Sequence, residues 1–179
     1  MLITYNGLID LVKNGVIEGV EPERINAASV DVCLGDVLWI ESERGHIVDL
    51  AEKDAPHMTS YRLSESCYPM APGEFVLGST REVFHLPDDI ACEFKLKSSL
   101  ARSGLQHAVA GWADPGFHNS VLTLELSNCL RHHPLMLRAG MPIGQLVFFR
   151  GESVPNQASY AHRGQYCNDR EAQPSKGVR

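Results

Sequence analysis

Positive charge is scarce in this sequence. Sixteen Lys plus Arg stand against 22 Asp plus Glu, a formal net charge of -6, so no broad basic surface exists to hold a nucleic-acid backbone. With aromatic residues at only 7% and no aromatic-basic patch, a nucleic-acid-binding module is a poor reading. A compact anionic ligand stays open, because a few clustered cations suffice for it. Long hydrophobic runs are missing too: none approaches the roughly 20 apolar residues of a membrane span, so no membrane partner is expected. The amino-terminal MLITYNGLIDLVKNG lacks a charged leader and a small-residue cleavage site, so no signal peptide is expected and the cytoplasm is the expected location. CxxC pairs are absent as well. The five cysteines, Cys33, Cys67, Cys92, Cys129 and Cys167, are odd in number and widely spread, which argues against a disulfide framework and a zinc knuckle. His132-His133 has no carboxylate or Cys at chelating spacing and reads as a polar loop, so no metal site is expected.

What is there is average globular composition, 44% hydrophobic and 21% charged over 179 residues. That length buries roughly 70% of the unfolded surface in one folded domain, here spanning 1–179. Leu2, Tyr5, Leu8, Ile9 and Val12 recur three and four apart, with Thr4 as a cap and Gly15 as a stop, and predict a short amphipathic helix. Short segments rich in Val, Ile, Leu and Phe follow: Ser29–Leu34, Val37–Ile40, Glu74–Leu77, Glu82–Leu86, Ala91–Leu96, Val121–Ser127, Leu135–Leu137 and Gly144–Phe149. Pro72-Gly73, Pro87-Asp88-Asp89, Asp114-Pro115-Gly116 and Ala139-Gly140 stand where turns are needed. This is the pattern of an all-β sandwich or barrel with no interdomain linker. Asp54–Ser66 is polar and aperiodic and reads as an excursion from the barrel, and residues 156–179, polar with Gly164, Asn168, Pro174 and Gly177, read as a frayed tail.

Functional residue types are densest between Lys97 and Asn128. Lys97-Ser98-Ser99-Leu100-Ala101-Arg102 places two hydroxyls and two cations directly after an apolar strand. In a helical turn, Ser98 and Arg102 share a face. A phosphate-holding turn and a capped turn with a solvated Arg both satisfy that spacing. Ala108–Phe117 is a small-residue strand ending in an acidic turn, where Asp114 is a ligand group or only a turn former. Val121-Leu122-Thr123-Leu124-Glu125-Leu126-Ser127-Asn128 alternates, with Val121, Thr123, Glu125 and Ser127 on one face. Glu125 is therefore either solvated on an outer face or projected into a closed site, where a carboxylate suits proton transfer.

In order, KSSLARSGL, AGWADPGF, LTLELSN and GMPIGQLVFF resemble the dCTP deaminases of the trimeric dUTPase-like superfamily. Supporting matches are Asn26–Val32 with Leu34-Gly35, Pro72–Leu77, and Tyr160, Tyr166, Asn168 and Pro174-Ser175-Lys176. The resemblance implies a distorted β-barrel, a jelly-roll β-clip, with a short N-terminal helix, assembled as a homotrimer with sites between subunits. It implies hydrolytic deamination of dCTP to dUTP and ammonia without zinc, in agreement with the absence of H-x-E and P-C-x-x-C elements. Glu125 is the implied general base, Ser98 and Arg102 the implied water-orienting and charge-stabilising residues, and the Ala110 carbonyl a further ligand of the water. The implied nucleotide-binding set is Lys97, Ser98, Ser99, Leu100, Ala101, Arg102, Ala110, Asp114, Thr123, Leu124, Glu125, Gln145, Tyr160, Gln165 and Asp169, with Mg²⁺ carried by the triphosphate oxygens. Asp114 resembles the reader of the sugar 3′-hydroxyl, and Phe117 is either a neighbour of the deoxyribose or a core residue.

Gly111-Trp112 and Gln145 resemble the bifunctional, dUMP-forming members, with Gly111 read as leaving room for a second water. Departures from the family pattern are a loop between Leu105 and Asp114 one residue shorter than usual, Ala113 for a customary Ile, and His118-Asn119-Ser120 for a Gly-containing turn. The lost volume at Ala113 implies tolerance of 5-substituted dCTP. Gln165 and Asp169, where Lys and Gln are usual, imply a lid with weaker phosphate contact. The resemblance also makes dTTP a candidate feedback inhibitor. A plain dUTPase and a non-catalytic, nucleotide-sensing trimer are the alternatives; Glu125 within the deaminase-like strand argues against the first, and Ser98, Arg102, Asp114 and Glu125 together argue against the second.

Overall fold

The computed structural model describes residues 1–42 and 45–177, so the last two residues of the 156–179 tail lie outside the described residues. In chain order the elements are α1 (Tyr5–Lys13), β1 (Ile17–Glu18), β2 (Val30–Cys33), β3 (Val37–Glu41), β4 (Met58–Arg62), β5 (Tyr68–Met70), β6 (Phe75–Ser79), β7 (Val83–His85) and β8 (Ile90–Leu96). They continue as α2 (Ser98–Arg102), β9 (Leu105–His107), β10 (Trp112–Ala113), β11 (His118–Ser120), β12 (Thr123–Asn128), β13 (Leu135–Leu137), β14 (Pro142–Arg150) and α3 (Tyr160–Arg163). The fold is mainly β, as the segment pattern predicts. No helix among the described residues is long and apolar enough to cross a membrane.

Two larger sheets carry the architecture, in the orders β10-β8-β14-β2 and β4-β3-β6-β12-β9, with β1-β7-β11 and β13-β5 beside them. β8 and β14 pair antiparallel from Gly144↔Leu96 to Arg150↔Ile90. Ile143, Leu146 and Phe148 of β14 are fully buried and meet Val32, Leu38, Val76, Phe94, Leu124 and Leu126 in one hydrophobic cluster. Period-2 alternation in both sheets thus fills one core. Glu82 is buried at its edge, where its carboxylate accepts the Cys33 amide hydrogen at 2.9 Å and faces Arg24 and Arg81. Burial pushes this acid up from its ordinary value, against the pull of that amide and the two cations.

Three local expectations change. In α1 the inward side chains are Leu8 and Leu11, while Leu2 and Tyr5 are exposed. The reason is that the chain before the helix joins the sheet: Leu2 bridges Phe149, and the Ile3 amide donates to Phe148 O at 2.9 Å, which turns Ile3 inward. Thr4 occupies the cap position without a side-chain cap bond. The aperiodic Asp54–Ser66 stretch contains β4, which pairs with β3 over five registers, from Val37↔Arg62 to Glu41↔Met58. As an edge strand it is largely exposed, so pairing rather than burial sets its conformation.

The tail is strapped to the body instead of frayed. The Trp39 indole N–H donates to Ala172 O at 2.7 Å, the Val121 amide to Asp169 O at 2.9 Å, and Ala172 is fully buried.

Candidate active site

β12 lies between β6 and β9, and its burial alternates so that Leu124, Leu126 and Asn128 face the core while Thr123, Glu125 and Ser127 face outward. The outward face is not open solvent. It borders a cavity of about 500 Å³, lined on one side by Phe75 and Leu77 of β6 and by Leu122, Thr123 and Glu125. Ala55, Pro56 and Met58 form a second wall, and Ala110, Trp112, Ala113 and Phe117 a third. Tyr160, Tyr166, Gln173, Pro174 and Ser175 cover it from the tail, where the Gln173 amide donates to Thr123 Oγ1 at 3.3 Å. Burial raises the Tyr160 hydroxyl above its ordinary range, so it meets the cavity as a neutral phenol. A mostly apolar cavity of this size with one carboxylate in its wall has the form of a small-molecule site.

Glu125 is held from both flanks. Its Cα partner is Leu77 on β6, and on the other side its carbonyl accepts the Ala108 amide hydrogen at 3.1 Å. Its Oε2 is buried and stands 3.3 Å from Nε2 of His107, out of line for a hydrogen bond. The His107 ring packs on Phe94, centroids 4.8 Å apart, and its Nδ1 accepts the Val109 amide hydrogen at 3.2 Å.

Phe94 is the keystone of this wall. It occupies the space that side chains at Gly111 and Gly144 would need, and a Cβ on Gly111 would lie 2.7 Å from Phe94 Cβ and 3.3 Å from His107 Cε1. The Gly111 carbonyl accepts the Phe94 amide hydrogen at 2.7 Å. Beyond it, the Trp112 ring stacks on Phe149 and its indole N–H donates to Asp114 Oδ1 at 2.9 Å. Asp114-Pro115-Gly116-Phe117 closes as a turn, with the Phe117 amide on Asp114 O at 3.1 Å and Gly116 at φ 87°. Only glycine suits that position, since a Cβ there would also collide with the Ser159 hydroxyl.

A family model described as dCTP deaminase-like matches residues 4–151. The chain belongs to the dCTP deaminase-like family. A dUMP-forming dCTP deaminase of Methanosphaerula palustris is 34% identical over 181 residues, covering 98% of this chain and 95% of the relative. One from Pseudarthrobacter chlorophenolicus is 43% identical over 161 residues, covering 86% and 80%. Among solved structures, the 2′-deoxycytidine 5′-triphosphate deaminase of Agrobacterium tumefaciens has the same fold, with a TM-score of 0.66 at 17% identity. It covers 88% of this chain, which spans 50% of that longer one.

Of the deaminase-type residues singled out from sequence, Ala110, Trp112, Thr123, Glu125 and Tyr160 come together on the cavity. Ala113 and Phe117 line it too, as do Tyr166, Pro174 and Ser175 of the tail, and the others lie elsewhere. Ser98, Ser99, Ala101 and Arg102 form the exposed turn α2 with Leu100 half-buried, and the Lys97 ammonium pairs with Asp31. Asp114 is exposed and bonded to Trp112, while Gly111 is packed against Phe94. The Leu124 side chain is fully buried on the opposite face of β12. Gln145 accepts a hydrogen bond from Ser29 Oγ at 3.1 Å, across β14 and β2. Lys176 ties the tail to itself through the Gln165 carbonyl at 2.9 Å and the Asp169 carboxylate at 2.7 Å. Phe117 belongs both to the core and to the cavity wall. His107, the Ala55-Pro56 corner and Met58 were not foreseen. A lone His at a strand end and a polar edge strand have no periodic signature.

Proposed function

We propose that this chain hydrolyses dCTP to dUTP and ammonia and carries the bound dUTP on to dUMP and pyrophosphate. The observation that carries this reading is Glu125, one oxygen sealed beside His107 and the side chain bordering an apolar cavity of nucleoside size. The relatives that align over nearly the whole chain and are named as dUMP-forming dCTP deaminases support it.

In this mechanism Glu125 takes a proton from a water that attacks C4 of the cytosine ring, passes it to N3, and after a second transfer ammonia leaves as the C4 carbonyl forms. The Ala110 carbonyl holds the attacking water. Phe117, Leu122 and Leu77 exclude bulk solvent, which strengthens each polar contact within. Ser98 and Arg102 orient the water and stabilise developing charge from a neighbouring copy in a homotrimer, which accounts for an exposed α2 outside this chain's own cavity. Lys97 and Ser99 hold the triphosphate there, and Mg²⁺ arrives as part of the nucleotide. Among the described residues no group of three His, Cys, Asp or Glu is disposed to hold a metal ion by itself. In this reading the Glu125 carboxylate, as proton acceptor, supplies the activation of water that a bound zinc ion supplies in the zinc deaminases.

Asp114 reads the 3′-hydroxyl and orients the second water at the α-phosphate, and the tail closes over the nucleotide. Ala113, buried in the cavity wall, leaves room for a 5-methyl group. dTTP, which carries that group, is the expected feedback inhibitor. The reaction belongs to cytoplasmic deoxynucleotide metabolism.

The test is anion-exchange analysis of dCTP and 5-methyl-dCTP incubated with the protein and Mg²⁺, beside Glu125→Gln. dUMP with pyrophosphate is expected from the parent and unchanged dCTP from the variant. Release of dUTP alone would remove the second step, turnover of 5-methyl-dCTP no faster than dCTP would remove the tolerance, and action on dUTP alone would leave a plain dUTPase.

A further inference from the structure

We infer that His107 is a positioning residue that clamps one oxygen of Glu125 and leaves the other as the sole proton acceptor. This rests on the reading of Glu125 as the general base. Four features of the structure converge on it. First, the His107 side chain is only 5% exposed and its ring is confined by Phe94 and by the closeness of Gly111, so it has one orientation. Second, the Val109 amide donates to Nδ1 at 3.2 Å. A ring nitrogen that accepts carries no hydrogen, which puts the ring hydrogen on Nε2.

Third, Nε2 lies 3.3 Å from Glu125 Oε2, and both atoms are buried without a hydrogen-bond partner among the described residues. A buried donor and a buried acceptor this close lack only alignment, which a rotation of the Glu125 carboxyl supplies, and catalytic bonds commonly tighten only when substrate is bound. Fourth, the loop that delivers the Val109 amide is strained. Val109 has φ 63° and is 78% exposed, a conformation that a β-branched residue adopts only when its surroundings require it. The bond to Nδ1 is the return on that strain.

The chemical consequence is a division of labour within one carboxylate. With Oε2 held by N–H, only Oε1 turns to the water, and the proton shuttles between water, Oε1 and the ring without the carboxylate rotating. Loss of the clamp slows the chemical step more than it weakens nucleotide binding, because His107 itself does not line the cavity.

The experiment compares His107→Ala and His107→Gln with the parent for ammonia release from dCTP, together with the ring tautomer of His107 from long-range ¹H–¹⁵N spectra of the parent. His107→Ala is expected to lower kcat by about 10- to 100-fold while KM stays within about threefold. His107→Gln, which retains an N–H where Nε2 stood, recovers most of that loss. The spectrum is expected to show the Nε2–H tautomer. A parent-like kcat for His107→Ala would overturn the inference, and so would an equal loss in both variants, since a donor would then not be what matters. An Nδ1–H tautomer overturns it whether or not the protein turns over dCTP. A parent protein inert towards dCTP but showing the Nε2–H tautomer would refute the proposed function and keep the clamp geometry.

Discussion

Replacing Gly111 by alanine tests the packing that holds the active-site wall. The new methyl carbon would sit 2.7 Å from Phe94 Cβ, 3.2 Å from Phe94 O and 3.3 Å from His107 Cε1. Carbon atoms pack at about 3.5–4.0 Å, so roughly 1 Å must be found. Phe94 cannot supply it cheaply. Its backbone is in the middle of β8, registered opposite Leu146, and its ring already fills the space beside Gly144. The movement therefore passes to the 110–111 backbone and the His107 ring. Overpacking of this kind costs about 1–3 kcal/mol, which at about 2–4 °C per kcal/mol for a chain of this size lowers Tm by roughly 2–12 °C.

The same displacement draws His107 away from Glu125, so kcat for dCTP falls by about tenfold or more, the scale of a misplaced catalytic group. Scanning calorimetry at fixed protein concentration and steady-state ammonia release measure the two effects. Gly151→Ala, where an added Cβ meets nothing within 4 Å, is the control and leaves both unchanged. A Gly111→Ala protein with parent Tm and parent kcat would refute the reasoning and return Gly111 to a purely solvent-related role.

Asp36 gives a pH test on a separate element. Burial alone would raise its carboxyl, but the Ser64 hydroxyl and amide and the Arg62 guanidinium hold it below the usual carboxylate range. Its stabilisation is therefore present above about pH 4 and is lost as pH falls through the lowered value. With the carboxylate 37% exposed, Asp36→Asn is expected to cost less than about 1 kcal/mol in urea unfolding at pH 7, and the gap to the parent closes as the pH falls through that lowered value. Trp39→Phe removes the donor to Ala172 O and weakens the strap by about 0.5–1.5 kcal/mol. Tryptic cleavage after Arg163 and Arg170 should then accelerate by about 2- to 10-fold, and an unchanged digestion rate would detach Trp39 from tail docking. Under the proposed homotrimer with sites between subunits, Glu125→Gln and Arg102→Ala, each inactive, should regain activity when refolded together, because a mixed trimer would contain one site with both residues intact. Failure of a mixture shown by mass to contain mixed trimers would place both residues in one subunit's site.

The parts of the fold legible in the sequence are those with a local cause. β12 could be read because Leu122, Leu124 and Leu126 alternate with Thr123 and Glu125, and the same alternation put the carboxylate on the face that borders the cavity. The Ser98–Arg102 turn was legible because it follows an apolar strand at helical spacing. β4 and β11 were not. Met58–Arg62 and His118–Ser120 have no apolar period and are extended because β3 and β7 pair with them. The tail was equally opaque, since its order comes from bonds to Trp39, Ser120, Val121 and Thr123, far away in the chain. His107 was hidden for the same reason. Its meaning depends on Glu125, and the two meet only once β9 pairs with β12.

The chain has two tryptophans, and both indoles report on this one region. Trp39 donates to the strap at Ala172, and Trp112 lines the cavity beside Asp114. Tryptophan emission, excited selectively over the five tyrosines, is thus free of background from the remainder of the barrel. Tail undocking would alter the emission of the first indole and nucleotide entry that of the second. Phenylalanine at either position separates the two signals, so binding, closure and product departure can be timed in a stopped-flow instrument without attaching a dye.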